Sequence, residues 1–326
     1  MNKLLVVCGP TVTGKTNLAI RLARKFNGEL ISADSRQVYK GMDVGTGKLP
    51  SSGKWNLACR QAGVESGKLR KGAGLWKVDG VGIHLYDVVE PNEQFSVADF
   101  YELARKTIRK IWQRGKLPIL VGGTGLYIKV VLEGLDTLGT PANYALREKL
   151  ESLSLEKLQN QLQKVNPQRA GEMNHSDWSN PRRLIRAIEV VISIQNSKVK
   201  NKNLTNAKMD VLKIGLIADR KVLDKRADKW VGQVMDNDLD VEVKKLIDQG
   251  NRSVIPMQGM IYKPTIDFVE KKITEKDWKI KLSTEMHAYI SRQLTWFKKD
   301  NEIIWFDIDS GIYPQNVQEL ISKWYK

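Results

Sequence analysis

The chain is poor in cysteine and histidine. Its 326 residues hold two cysteines, Cys8 and Cys59, and three histidines, His84, His175 and His287. None of these has the spacing of a metal motif, and two distant cysteines make no disulfide framework. Long apolar runs are missing too, so no segment reads as a membrane-spanning helix. The first apolar run, residues 3–8, starts at the N-terminus as a strand would, and no signal peptide is expected. These absences point to a cytoplasmic protein without a membrane partner. Negative charge is also in short supply: 37 Asp and Glu face 53 Lys and Arg, for a formal net charge of +16. Such a balance suggests a polyanionic partner, nucleic acid ahead of a membrane surface.

What is present begins with a phosphate loop. Gly9, Pro10, Thr11, Val12, Thr13, Gly14, Lys15 and Thr16 fit the pattern G-x-x-x-x-G-K-[ST]. Lys3 to Cys8 reads as a buried parallel strand, and Leu18, Ala19, Leu22, Ala23 and Phe26 recur at helical spacing. Strand, loop and helix are the context the motif requires. The loop N–H groups and the helix N-terminus suit an anion, with Lys15 reaching the terminal phosphates and Thr16 ligating Mg²⁺. Kinases, nucleotide-binding ATPases and some transferases all use such a loop, so the remaining residues must choose among them.

Further along, Glu29 to Asp34 reads as a second strand ending in a carboxylate, followed by Ser35, Arg36 and Gln37. Polar residues in that position lie where open α/β sheets bind ligands. Residues 49–80, rich in Gly, Ser and Lys, read as a basic flexible excursion with Trp55 and Trp76 as possible base-stacking platforms. Ser96 and Asp99 form a capping box for a helix that Gly115 ends. Pro118 to Val121 is a strand running into Gly122, Gly123 and Thr124, where an ATPase often places an acidic residue. From about 140 to 205 the pattern is helical. Pro181 opens a helix that carries Arg182, Arg183 and Arg186, and residues 196–208 read as a Lys-rich surface loop. Val211 to Ala218 is again a strand, ending before Arg220. Long helices are expected at about 221–249 and 276–299, with Trp296 and Phe297 of the latter in the core. A late strand at 302–308 and a final helix at 315–325 close the chain. The expected fold is α/β: a P-loop NTPase-like parallel sheet core, residues 1–139 and 207–326, with an inserted helical domain, residues 140–206.

Together, the phosphate loop, Ser32 to Tyr39, Gly122 to Tyr127, Arg182 to Ala187 and Arg292 to Phe297 resemble the tRNA dimethylallyltransferase family. The resemblance runs from Met1 to about Ile308, and its specific signal is Asp34-Ser35-Arg36-Gln37-Val38-Tyr39. It implies transfer of a dimethylallyl group from dimethylallyl diphosphate to the exocyclic amine of the adenosine beside the anticodon, position 37. Residues 9–16, with Arg220 as a clamp and Mg²⁺ on Thr16, would then hold the diphosphate. Asp34 would serve as general base, with Lys15 and Thr124 at the reacting centre. Ser35, Arg36 and Gln37 would meet the flipped base and its neighbours. Arg182, Arg183 and Arg186 would hold the anticodon stem-loop, with Thr140 and Pro141 approaching the same RNA. A monomer is expected, although nothing in the sequence sets the oligomeric state. The chain departs from the family pattern at Ile261 and Pro264, and at 235–239, where the usual glycine is missing. Prenylation of a free adenine nucleotide, or a kinase or ATPase reaction, are the competing readings.

Overall fold

A computed structural model describes residues 2–48, 71–72, 74–135, 137–138, 140, 142–196 and 209–326. Its described residues form one seven-stranded sheet: β1 (Lys3–Cys8), β2 (Gly28–Ser32), β3 (Leu75–Val78), β4 (Val81–His84), β5 (Leu117–Val121), β6 (Asp210–Ile217) and β7 (Ile304–Asp307). The order across the sheet is β3-β4-β2-β5-β1-β6-β7, and every pair is parallel except the β3–β4 hairpin. β5 is the middle strand, with β2 and β1 on either side of it, and both β5 and β1 are apolar runs. Leu4 to Val7 have no exposed surface, as expected of a strand covered on both faces. Parallel pairing puts the C-terminal ends of β1, β2, β5 and β6 on one edge of the sheet. The loops that leave these strands, at 9–14, 33–48, 122–124 and 218–219, therefore gather there.

The helices follow from local signals. α1 (Lys15–Lys25) buries Leu18, Ala19, Leu22 and Ala23. α2 (Val97–Gln113) opens on the Ser96–Asp99 capping box, each partner satisfying the other's backbone N–H. α3 (Gly125–Glu133) follows β5. After β6 come α9 (Arg220–Asp236), α10 (Leu239–Asp248), α11 (Tyr262–Val269), α12 (Glu275–Phe297) and α13 (Tyr313–Tyr325). The single helix expected at 221–249 is thus two. Asp238 takes φ 63 and breaks the run, filling the left-handed position for which glycine is the usual residue. Pro264 falls within the first turn of α11, where its missing N–H would have no helical acceptor.

Residues Met1–Leu132 with Ala207–Lys326 form one compact unit and Glu133–Asn206 a second. The second holds α4 (Tyr144–Glu151), α5 (Leu155–Val165), α6 (Pro167–Glu172), α7 (His175–Trp178) and α8 (Pro181–Asn196). Its own core includes Leu150, Leu158, Leu162, Leu184 and Ile188. Pro141 and the expected loop from 197 to 208 lie outside the described residues.

The tract expected as a flexible excursion at 49–80 needs a correction at its C-terminal end. Residues 75–78 are a paired strand and Trp76 has no exposed surface; its Nε1 donates to Asp87 at 2.7 Å. Trp76 is therefore a core residue, not a stacking platform. Residues 49–70 and 73, Trp55 and Cys59 among them, lie outside the described residues.

Candidate active site

The phosphate loop is built from its own bonds. Thr13 is buried and its Oγ1 donates to the Pro10 carbonyl at 2.9 Å. Lys15 Nζ donates to the same carbonyl at 2.5 Å. Gly9 must lack a side chain, since a Cβ there would lie 2.4 Å from the Leu216 carbonyl oxygen of β6. Val12 takes φ 60, a conformation a β-branched residue resists and a mark of a loop held by its surroundings. Burial lowers Lys15 to about 8, although the charge of Asp34 opposes the shift. The lysine thus has a carbonyl for a partner, and an arriving anion would raise its pKa again.

Asp34 stands two residues beyond the end of β2. Its Oδ1 accepts from the Arg36 N–H at 2.8 Å, which fixes the carboxylate over the turn. Burial raises its pKa, while the N–H groups of Arg36 and Gln37 and the charge of Lys15 act in the other direction. The net upward shift suits a group that must take a proton. Ser35 N–H donates to Thr124 Oγ1 at 3.2 Å, which ties the loop after β2 to the loop after β5. The Thr124 side chain is also hydrogen-bonded to Tyr289, whose own hydroxyl pKa is raised by burial. Thr11, Asp34, Ser35 and Arg36 line one cavity of about 360 Å³, with Trp230, Met286, Tyr289 and Arg292 among its other walls. A phosphate loop, a carboxylate and an apolar wall therefore face a single space.

Several residues hold the walls of this cavity in place, and of these Glu242 carries no local sequence signal. Gln293 on α12 is 4% exposed; its Oε1 accepts from Thr11 N–H at 2.8 Å and its Nε2 donates to the Gly123 carbonyl at 3.0 Å. One amide thereby joins the phosphate loop to the loop of Thr124. Glu242 on α10 accepts from the N–H groups of Asp43, Val44 and Gly45 at 2.8, 2.6 and 3.1 Å, and from the Tyr262 hydroxyl at 2.8 Å. It holds the 43–46 turn against the cavity. Gln37 spends its amide on that framework, accepting from Ser32 Oγ and donating to the Thr46 carbonyl. Arg220 pairs with Asp224 at 2.8 Å and also donates to Ser291 Oγ and to the His287 carbonyl.

In the second unit, Arg186 is an internal tie. It pairs with Glu189, which is 1% exposed, and donates to the carbonyls of Thr137 and Thr140 at 3.0 Å. Arg183 pairs with Asp177. Arg182 is exposed and has no side-chain partner among the described residues. The three arginines expected to act alike thus have different environments.

The IPP transferase family profile matches residues 76–300, and the Isopentenyl transferase profile matches residues 2–61. The chain belongs to the IPP transferase family. Among IPP transferase relatives, the tRNA dimethylallyltransferase of Anoxybacillus flavithermus is 37% identical over 324 residues, covering 98% of this chain and 95% of that protein. The crystal structure of the tRNA isopentenylpyrophosphate transferase of Bacillus halodurans superposes with a TM-score of 0.69 at 33% identity, over 99% of this chain and 96% of that one. A eukaryotic dimethylallyltransferase acting on tRNA shares the fold, with a TM-score of 0.72 at 23% identity, over 98% and 77% of the two chains. These structural neighbours have a P-loop NTPase-like fold, the class to which the mostly parallel sheet described above belongs.

Proposed function

We propose that this protein transfers a dimethylallyl group from dimethylallyl diphosphate to the N6 amine of adenosine 37 in tRNA, acting as a monomer. Transfer of a dimethylallyl group to tRNA is the activity named for relatives that span nearly the whole chain. The observation that carries the reading is the cavity shared by Thr11 of the phosphate loop and Asp34. The adenine N6 lone pair attacks the allylic carbon. The carbon–oxygen bond breaks with its electrons leaving on the diphosphate, and Asp34 takes the proton lost by the amine. Lys15 and the N–H groups at the start of α1 stabilise charge that grows on the leaving diphosphate. Thr124 and Ser35 hold the acceptor side, and the apolar wall keeps water from the allylic group.

The donor set fits Mg²⁺. Thr16, in the first turn of α1, is half-buried and its hydroxyl has no partner among the described residues. A Mg²⁺ ion needs few protein ligands where a diphosphate and waters supply the remainder. When bound, the ion neutralises the leaving diphosphate. On the RNA, Arg36 is the base-side cation and Arg182 the group available for a backbone phosphate, in keeping with the net charge of +16. No described helix is long and apolar enough to cross a membrane.

The test supplies labelled dimethylallyl diphosphate and Mg²⁺ with unmodified tRNA or with AMP. Label entering tRNA supports the reading. Label entering AMP alone contradicts the tRNA assignment, and ATP turnover without transfer contradicts prenyl transfer.

A further inference from the structure

Arg220 is held more firmly than a half-exposed arginine needs to be. β6 runs beside β1, and a Cβ on Gly9 would lie 2.4 Å from the Leu216 carbonyl oxygen, so the loop leaving β6 passes alongside the phosphate loop. Asp219 caps α9 by accepting from the Lys221 N–H at 2.8 Å. Arg220, the first residue of that helix, therefore starts at the sheet edge where the diphosphate is expected. Its Nε donates to both oxygens of Asp224, at 2.8 and 2.9 Å, its Nη1 to Ser291 Oγ, and its Nη2 to the His287 carbonyl at 2.9 Å. A guanidinium carries one N–H on Nε and a pair on each Nη. One N–H on each Nη is thus left without an acceptor among the described residues.

The acceptors are fixed in their turn. Met286, Ile290, Gln293 and Phe297 form the buried stripe of α12. Trp296, expected in the core beside Phe297, is instead 42% exposed, because successive helical residues point about 100° apart. His287 and Ser291, one turn apart, lie on the face toward α9. Ser291 Oγ donates its proton to the His287 carbonyl at 3.1 Å, so it meets Arg220 only as an acceptor. The His287 ring lies 3.0 Å from Asp228, one turn beyond Asp224, and joins the two helices a second time. Stability gives little reason for this arrangement. An ion pair of such exposure contributes less than the rotamer freedom that a fixed arginine gives up. The similarly exposed Arg252 side chain is held by Glu270 alone among the described residues.

We propose that Asp224 and Ser291 are positioning residues that aim Arg220 at the diphosphate as it leaves. The proposal rests on the prenyl-transfer reading above, with Arg220 as the diphosphate clamp that the resemblance implies. A guanidinium already held in one direction loses no further freedom as charge grows on the leaving oxygens. Its two unused N–H groups match a pair of phosphate oxygens. Asp224 cannot act by attraction, because its charge offsets that of Arg220 toward an anion. It supplies direction, and direction is read in the rate of bond breaking, not in the affinity for the free anion.

The test compares single-turnover label transfer to tRNA with the affinity for inorganic pyrophosphate, both with Mg²⁺, across variants of the full chain. Asp224→Ala and Ser291→Ala should each slow transfer about tenfold, while pyrophosphate binds within about threefold of wild type. Ser291→Thr keeps the hydroxyl and should transfer near the wild-type rate. Arg220→Met should lose about a hundredfold in transfer and about tenfold in pyrophosphate affinity. In the Arg220→Met background neither alanine change should slow transfer further, since both act through the guanidinium. Wild-type transfer by either alanine variant overturns the proposal. So does an equal loss of pyrophosphate affinity, or a slowing that persists in Arg220→Met and so marks a merely structural role. Transfer by wild type is scored first: its absence removes the prenyl-transfer reading and the positioning together, whereas transfer that the alanine changes leave alone removes the positioning only.

Discussion

Two lysines, Lys15 and Lys48, follow the first two strands of the sheet, and their surroundings are opposite. Lys48 has a fully buried side chain whose ammonium binds Asp43 at 3.0 Å, Asp87 at 2.6 Å and the Tyr39 carbonyl at 2.6 Å. Lys15 has one bond, to a carbonyl of its own loop, and burial lowers it to about 8. A buried charge needs partners. Where the fold supplies them, the charge holds the loop together; where it does not, the charge is held for a ligand. The arginines of the helical unit repeat the contrast, with Arg186 consumed by Glu189 and two carbonyls, and Arg182 left exposed.

The contrast breaks most visibly by removing each lysine. Lys15→Met should cut transfer about a thousandfold while the melting temperature stays level, as no carboxylate loses a partner. Lys48→Met leaves Asp87 without its cation and Asp43 with Lys71 alone, and should lower stability by about 3 kcal/mol in a denaturant titration. Lys15→Met that unfolds beside a stable Lys48→Met would reverse the comparison.

The pH dependence of kcat/KM sharpens it. Transfer needs Asp34 ionised and Lys15 protonated. Burial raises Asp34, so the acid limb should inflect above the ordinary carboxylate value of about 4. Burial lowers Lys15, so the rate should fall again as pH rises through about 8. Lys15→Arg should move the basic limb upward, because a guanidinium keeps its proton there.

A smaller effect is expected at the 43–46 turn. Tyr262→Phe deletes the hydroxyl bound to Glu242 and should cost about 1 kcal/mol of stability. It should raise KM for tRNA and leave KM for the donor unchanged. The smallest is at the second unit. Arg182→Met should reduce the salt slope of tRNA binding by about one, as for a lost phosphate contact. Arg186→Met should instead lower the melting temperature.

Local features of this fold were readable and distant ones were not. The phosphate loop, the Ser96–Asp99 capping box and Pro181 at a helix start are short-range patterns, and each stands where its spacing puts it. The role of Lys48 was hidden because its partner Asp87 is 39 residues away. The hairpin carrying Trp76 was hidden because its four-residue strands adjoin a long Gly- and Lys-rich tract. The helix read at 221–249 breaks at Asp238, inside the 235–239 turn whose usual glycine is missing, because an aspartate takes the left-handed position there. Glu242 and Gln293 act through backbone groups that only the tertiary fold brings to them. The Trp296–Phe297 pair looked alike in sequence, and helical rotation separates their surroundings.

The central claim is that Asp34 takes the amine proton in a prenyl transfer to tRNA. Single-turnover label transfer by Asp34→Asn, with donor and tRNA prebound, tests it most directly. The account predicts a rate about a hundred- to ten-thousandfold below wild type, with the affinities for donor and tRNA retained. A wild-type rate in Asp34→Asn would contradict it.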